Sequence, residues 1–227
     1  MHTEQDPPAR TLRIGYLWQY EQVDMAKNSG PVNHVKAVIR GLERRSHQVR
    51  LLTYKDGQIQ WSDDLEHWHP AELGLTRSPL FRTMERPLRS IQGRLGLPFF
   101  RFFDSCRFSE ACVCALAGCD VLYERFWLLA SGGSLASVRL GIPLLLEFNG
   151  DLVAEYGQLG TELSRAQWHV IHLVTRLMLK RAGHVVAVCD PLKQQIVRRW
   201  GTPPRKISVV TNGVDVDQFL KQCHSSR

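Results

Sequence analysis

The residues of this chain that can do chemistry fall where apolar segments end. Glu147, Asn149 and Asp151 follow the run "IPLLL" in the stretch "EFNGD", so two carboxylates and an amide meet the end of one strand. A carboxylate accepts protons and pairs with cations, whereas an asparagine donates and accepts hydrogen bonds but is no base at neutral pH. The alternative for Asn149-Gly150 is an ordinary turn. Glu124-Arg125 closes the segment "DVLYERF", as a charge pair that either lines a cleft or pairs with itself at the rim. His34 lies one turn into a helical pattern, where a histidine is either structural or a ligand contact. Gly30 stands just before that helix, where free N–H groups and the lack of a Cβ suit close approach of a diphosphate. Its alternative is a helix-entry glycine ahead of Pro31.

A second kind of chemistry lies in residues 77–107, which hold seven arginines, no lysine, and only Glu85 and Asp104 as acids. With "LPFFRFF" inside it, the stretch has the composition of a basic amphipathic surface. Arg82, Arg86, Arg89, Arg94 and Arg101 would meet anionic lipid headgroups there. The alternative is a helix pair packed on a sheet, with a solvated basic face.

The elements that must position these groups alternate between strand and helix. "TLRIGYLW" reads as a buried strand. "PVNHVKAVIRGLERR" reads as a helix with Val32, Val35, Ile39 and Leu42 on one stripe and Arg44 and Arg45 near its end. "HQVRLLTY" is the second strand, and residues 56–76 read as polar and turn-rich. From Pro79 a helix follows, with Leu80, Met84, Leu88, Ile91 and Leu95 on one stripe and a break or kink expected at Pro87. "PFFRFFDSCRFSEACVCALAG" continues as another helix. After "DVLYERF" comes a short helix around Ser134–Leu140, then "IPLLLEF", apolar enough for a central parallel strand. Ser164 caps a long helix. "HVVAVC", a helix capped by Asp190 with Pro191 in its first turn and Gly201 at its end, and "KISVVT" complete the pattern. The expectation is an α/β fold: a single Rossmann-like, doubly wound, mostly parallel sheet.

The 227 residues are 44% hydrophobic and 22% charged, an ordinary globular composition whose length suits one large α/β domain or two small ones. The net charge of +7 suits an anionic partner. No RNA- or DNA-binding signature accompanies the charge, so no nucleic acid partner is expected. The first strand is followed by no Gly-rich turn, which disfavours NAD or FAD, and no P-loop is present. The first residues lack the layout of a signal peptide, and no run reaches the length of a membrane span. A cytoplasmic location is the expectation, with peripheral contact at the inner face of the membrane through the arginines. The spacing of Cys106, Cys112, Cys114 and Cys119 matches no zinc site, so buried, reduced thiols and no metal are expected.

Three segments together resemble the family-4 retaining glycosyltransferases. "NSGPVNHVKAVIRGLERRSHQVRLLT" resembles their first loop, helix and second strand. "DVLYERF" with "GIPLLLEFNGDLVAEY" resembles their mid-domain strands. "AGHVVAVCDPLKQQIVRRWGTPPRKISVVTNGVDVDQF" resembles the end of their N-terminal domain and the crossing that follows it. The likeness covers most of residues 11–219 and is weak over 56–118. It implies the N-terminal half of a GT-B fold: two Rossmann-like domains face each other, the first binding the acceptor and the second the nucleotide sugar. Residues 1–10 are then a polar tail, 11–211 the N-terminal domain, and 212–227 an interdomain linker and truncated tail.

That resemblance shapes the expected site. It makes Gly30 part of the donor-phosphate loop, and His34, Glu124, Arg125 and Asn149 acceptor-site candidates. The family often has His where this chain has Asn149, so Glu147 or Asp151 would replace it as base, or the leaving phosphate would take the proton. Glu147 and Glu155 mimic the E-x7-E spacing of the family's donor domain, but the surrounding glycine-rich run is absent and the match is read as chance. The implied reaction transfers a sugar from a nucleotide sugar to an acceptor hydroxyl with retention, without a cofactor. The chain alone is expected to be inactive, and to associate with itself or with a donor domain supplied in trans. The alternative is a stand-alone, non-catalytic module binding a glycan, a lipid or a protein.

Overall fold

The computed structural model describes residues 10–21, 24–94, 101–152, 154–155 and 164–213. Eight strands form one sheet in the order β4-β3-β2-β1-β5-β6-β7-β8. They are β1 Arg13–Trp18, β2 Gln48–Lys55, β3 Gln58–Ser62, β4 His69–Pro70, β5 Val121–Arg125, β6 Leu144–Phe148, β7 His184–Ala187 and β8 Ile207–Val209. All pairings from β2 through β1 to β8 are parallel, and β3 and β4 add an antiparallel edge. The helices are α1 Gly30–Glu43, α2 Pro79–Arg94, α3 Phe102–Ala115, α4 Gly132–Leu140, α5 Arg165–Arg181 and α6 Asp190–Trp200.

Strand alternation sorts the core. Tyr16 and Trp18 of β1 and Leu51 of β2 pack under Val32, Val35 and Ile39 of α1. On the opposite face, Leu17, Leu52 and Leu122 meet α3 and α4, and Leu146, Phe148 and Val185 meet α5 and α6. The chain turns left from β1 through α1 and right from β5 through α4, so the order reverses between β1 and β5. Loops leaving those carboxyl ends diverge and open a crevice. Among the described helices only α1 packs on its face of the sheet. Beside it no described helix covers the strip over β6–β8, where Ser208 and Val210 are exposed.

Several expectations are corrected. Residues 56–76 contain strands β3 and β4, not only turns. The hairpin hangs on Asp56-Gly57, both at positive φ of 52° and 73°, the type I′ geometry that an Asp-Gly pair favours. Of the break or kink expected at Pro87, the break does not occur, because α2 runs through it. The pair of Glu85 and Arg89, 2.6 Å apart, straddles the proline and closes the same turn. Asp190 is not the cap of α6: Cys189 holds that position and Asp190 is the first helical residue, an acid suited to the helix N-terminus. Cys114 is exposed rather than buried. Ser164 does cap α5, in a capping box with Gln167. Leu95, Phe219 and Leu220, and most of the expected linker and tails, lie outside the described residues.

Candidate functional site

Three parallel strands deliver polar side chains to one place. Along β5 and β6, residues of one parity face α1, and register sets Tyr16 beside Tyr123 and Arg125 beside Glu147. Phe148, one residue on, faces the other layer and stacks on Phe126 at 4.0 Å. Apolar neighbours thus hold β6 in register while Glu147 is presented to the helix.

Glu147 is the hub. Its Oε1 lies 2.5 Å from His34 Nε2, in the second turn of α1, and also accepts from the Asn149 amide. The Tyr16 hydroxyl donates to Oε2 at 3.4 Å, and the Arg125 guanidinium stands 3.7 Å away. Burial alone would raise the pKa of this carboxyl. The hydrogen bond and charge of His34, the Asn149 amide and the Arg125 cation outweigh that and hold it below the ordinary range. The neighbouring phenols move the other way: burial, then the Glu147 charge, pushes Tyr16 and Tyr123 up, so both stay protonated donors.

Glu124 and Arg125 do not form the expected pair, because consecutive strand residues point to opposite faces. Arg125 turns to Glu147 and lies over the Trp18 ring. Glu124 turns into the other layer and is fully buried beneath the start of α4, where its Oε1 accepts from Gly133 N–H at 3.2 Å. Burial pushes its pKa up to about 8, so it is neutral at pH 7. It therefore sits behind the sheet, away from the His34–Glu147 cluster. Asp151 is also drawn off: it accepts from Gln195 and lies 3.4 Å from Arg199, both on α6. Glu155 is exposed while Glu147 is buried, so the E-x7-E pair shares no environment.

Gly30 is the first residue of α1, and a Cβ there would meet no atom of the chain within 4 Å. Nothing inside the fold demands glycine at that point. Ser29 makes no side-chain cap, which leaves the first N–H groups of the helix open.

The cluster opens into a groove of about 710 Å³ between α1 and that strip of sheet. Among the described residues, Lys27, Lys36, Arg40 and Arg44 line it, against the acid Glu147. Its far wall is Val186 and Val210–Gly213. Sequence reading did not single out Tyr16, Tyr123 or these cations. The i, i+2 spacing of Tyr123 with Arg125 marked one face of β5, but the strand register that brings Tyr16 alongside is visible only in the sheet. Nor did it anticipate the aromatic lip where Tyr20 and Trp127 meet at 4.1 Å beyond the ends of β1 and β5.

A family profile described as a glycosyl transferase 4-like domain matches residues 29–213. The chain is 27% identical, over 101 residues, to D-inositol 3-phosphate glycosyltransferase 2 of Catenulispora acidiphila, covering 44% of this chain and 23% of the relative. Its structure is similar to sucrose-phosphate synthase from Thermosynechococcus elongatus, with TM-score 0.58 and 16% identity over 92% of this chain and 49% of that one. It is also similar to a glycosyltransferase from Rickettsia africae, with TM-score 0.45 and 16% identity over 95% of this chain and 49% of that one. The chain thus spans under a quarter of the curated relative and about half of each solved chain.

Proposed function

Because the chain belongs to the glycosyl transferase 4-like family and has the fold of an N-terminal GT-B half, we propose that it is the acceptor-binding half of a retaining glycosyltransferase. The complete reaction moves a sugar from a nucleotide sugar to an acceptor hydroxyl. The observation that carries this reading is the buried Glu147 carboxylate paired with the half-buried His34, opening into a basic groove at the carboxyl ends of parallel strands. Ligands of such sheets gather at that edge, where the strand order reverses.

In this reading the acceptor lies in the groove. Its hydroxyl hydrogen-bonds with the His34–Glu147–Asn149 group, and His34, with Asn149 and Arg125, keeps the carboxylate charged. Asn149 orients and does not take the proton. The groove cations favour an acceptor bearing negative charge, such as a phosphorylated polyol, a class that the name of the curated relative also contains. The diphosphate of the donor approaches Gly30 and the open start of α1. A second domain, in the same polypeptide or in trans, supplies the rest of the donor site.

Titration calorimetry of the chain with inositol phosphates, free polyols and inorganic phosphate tests this. Phosphorylated polyols are expected to bind, and His34→Ala and Arg40→Ser to weaken binding about tenfold or more while leaving the fold intact. Equal binding of every anion, unchanged by His34→Ala, would remove the acceptor reading and favour a non-catalytic module.

A further inference from the structure

Helix α2 is built against the usual rule. A surface helix buries its apolar stripe and exposes its charges. In α2 the one buried residue is Glu85, held by Arg89 at 2.6 Å and by Arg107 of α3 at 3.0 Å. The apolar residues Leu80, Met84, Leu88 and Ile91 follow i, i+4, i+8, i+11 spacing and are 72, 57, 43 and 49% exposed. They form one continuous ridge about 16 Å long at the helical rise. Phe81 anchors the inner side of the helix edge-on against Phe103, so the ridge is fixed outward.

The exposed charges of α2 have one sign. Arg82, Arg86 and Arg94 are exposed and form no ion pair among the described residues, and Arg77 is exposed in the turn before the helix. Arg89 and Arg101, nominated from sequence alongside them, are instead engaged with Glu85, Asp104 and Glu21. The only acid on α2 is the buried Glu85. The solvent side of α2 therefore carries an aliphatic ridge and, elsewhere round the helix, only cations, with no exposed carboxylate of its own.

We propose that α2 docks the protein on an anionic lipid surface, lying in the plane of the interface with Leu80, Met84, Leu88 and Ile91 among the acyl chains and Arg82, Arg86 and Arg94 at the headgroups. The charge pattern selects this occupant over a second copy of the chain. Two copies meeting through this ridge would bring their arginines together with no acid to compensate. A lipid surface supplies anions beside a hydrocarbon layer, which is the combination that the helix presents. The proposal is independent of the groove beside α1, since α2 packs on the other side of the sheet through α3.

Co-sedimentation of the full chain with phosphatidylglycerol-containing vesicles, against pure phosphatidylcholine vesicles, at about 50 mM and about 500 mM salt tests it. Binding should require the anionic lipid and fall about tenfold or more at the higher salt. Leu88→Glu/Ile91→Glu should abolish binding with an unchanged circular dichroism spectrum and melting temperature, because both side chains are already in solvent. Arg82→Ser/Arg86→Ser/Arg94→Ser should remove the preference for anionic vesicles. No binding to either vesicle, equal binding to both, or undiminished binding by Leu88→Glu/Ile91→Glu overturns the proposal. So does a dimer, seen by light scattering, that the same double variant dissolves.

Discussion

Glu147 Oε1 and His34 Nε2 lie 2.5 Å apart although 113 residues separate them in the chain. The pair joins the end of a central strand to the second turn of the helix on the opposite side of the crevice. It keeps a buried carboxylate charged, and it fixes where an imidazole stands in the groove.

Removing His34 leaves that carboxylate short of its strongest partner. His34→Ala is expected to cost about 2 kcal/mol at neutral pH, read as a lower urea midpoint at unchanged slope. The folded pKa of Glu147 is depressed, below an unfolded value of about 4.3. Its contribution is thus fully present above that value and is lost as pH falls through the folded one. Glu147→Gln should flatten this acid limb of the stability curve. An acid limb identical in the two proteins would mean that the pair contributes nothing.

Glu124 works in the opposite sense. Its folded pKa, pushed up to about 8 by burial, exceeds the unfolded value of about 4.3, so the folded state binds the extra proton. Stability from this group is full below about pH 4.3 and declines as pH rises to about 8. Glu124→Gln keeps the shape and the Gly133 N–H acceptor without the charge. It should match the parent near pH 4 and exceed it by about 5 kcal/mol above pH 8, the linkage for a pKa raised from about 4.3 to about 8. Denaturant titrations at the two pH values decide this, and equal differences at both would show that Glu124 is ionised in the fold.

Gly133 allows α4 to start directly over Glu124. A Cβ at that position would come within 2.6 Å of the Glu124 carboxyl. Gly133→Ala should therefore cost about 1–3 kcal/mol through overpacking. Glu124→Ala opens space at the same spot, so the double variant should lose less than the sum of the single changes. Strict additivity in the four-protein cycle would place the strain elsewhere.

The 227-residue chain is expected to show no glycosyl transfer by itself. The motivation is that it spans about half, 49%, of the sucrose-phosphate synthase chain whose fold it shares. Assays with a panel of nucleotide sugars should stay at background. The strip of sheet over β6–β8 that no described helix covers should make the chain self-associate, or co-purify with a C-terminal domain of a family member. Turnover by the chain alone would contradict the two-domain reading. A strict monomer at high concentration that also ignores the second domain would favour the module.

Much of the architecture is local and therefore legible. "IPLLLEF" is a central strand because it is apolar on both faces, α1 shows its stripe at Val32, Val35 and Ile39, and the Ser164 cap and the turn at Gly201 end their helices where side-chain chemistry dictates. The α/β alternation and the family likeness follow from such features. Even the missed hairpin had a local signal in Asp56-Gly57. Pairings across the chain are different in kind. Glu124 and Arg125 are neighbours in sequence, yet strand alternation sends one behind the sheet and the other toward Glu147. Arg89 and Arg101 match Arg82 and Arg86 in composition, but Asp104 claims Arg89 only once α2 and α3 have docked, and Glu21, in the loop after β1, claims Arg101 only in the folded chain. The stripe on α2 was visible as a period, whereas its direction was not. A helix turns its apolar face inward unless something else occupies that side. Here the ion pairs of Glu85 with Arg89 and Arg107 hold the inner side, so tertiary packing alone decided that the ridge faces out.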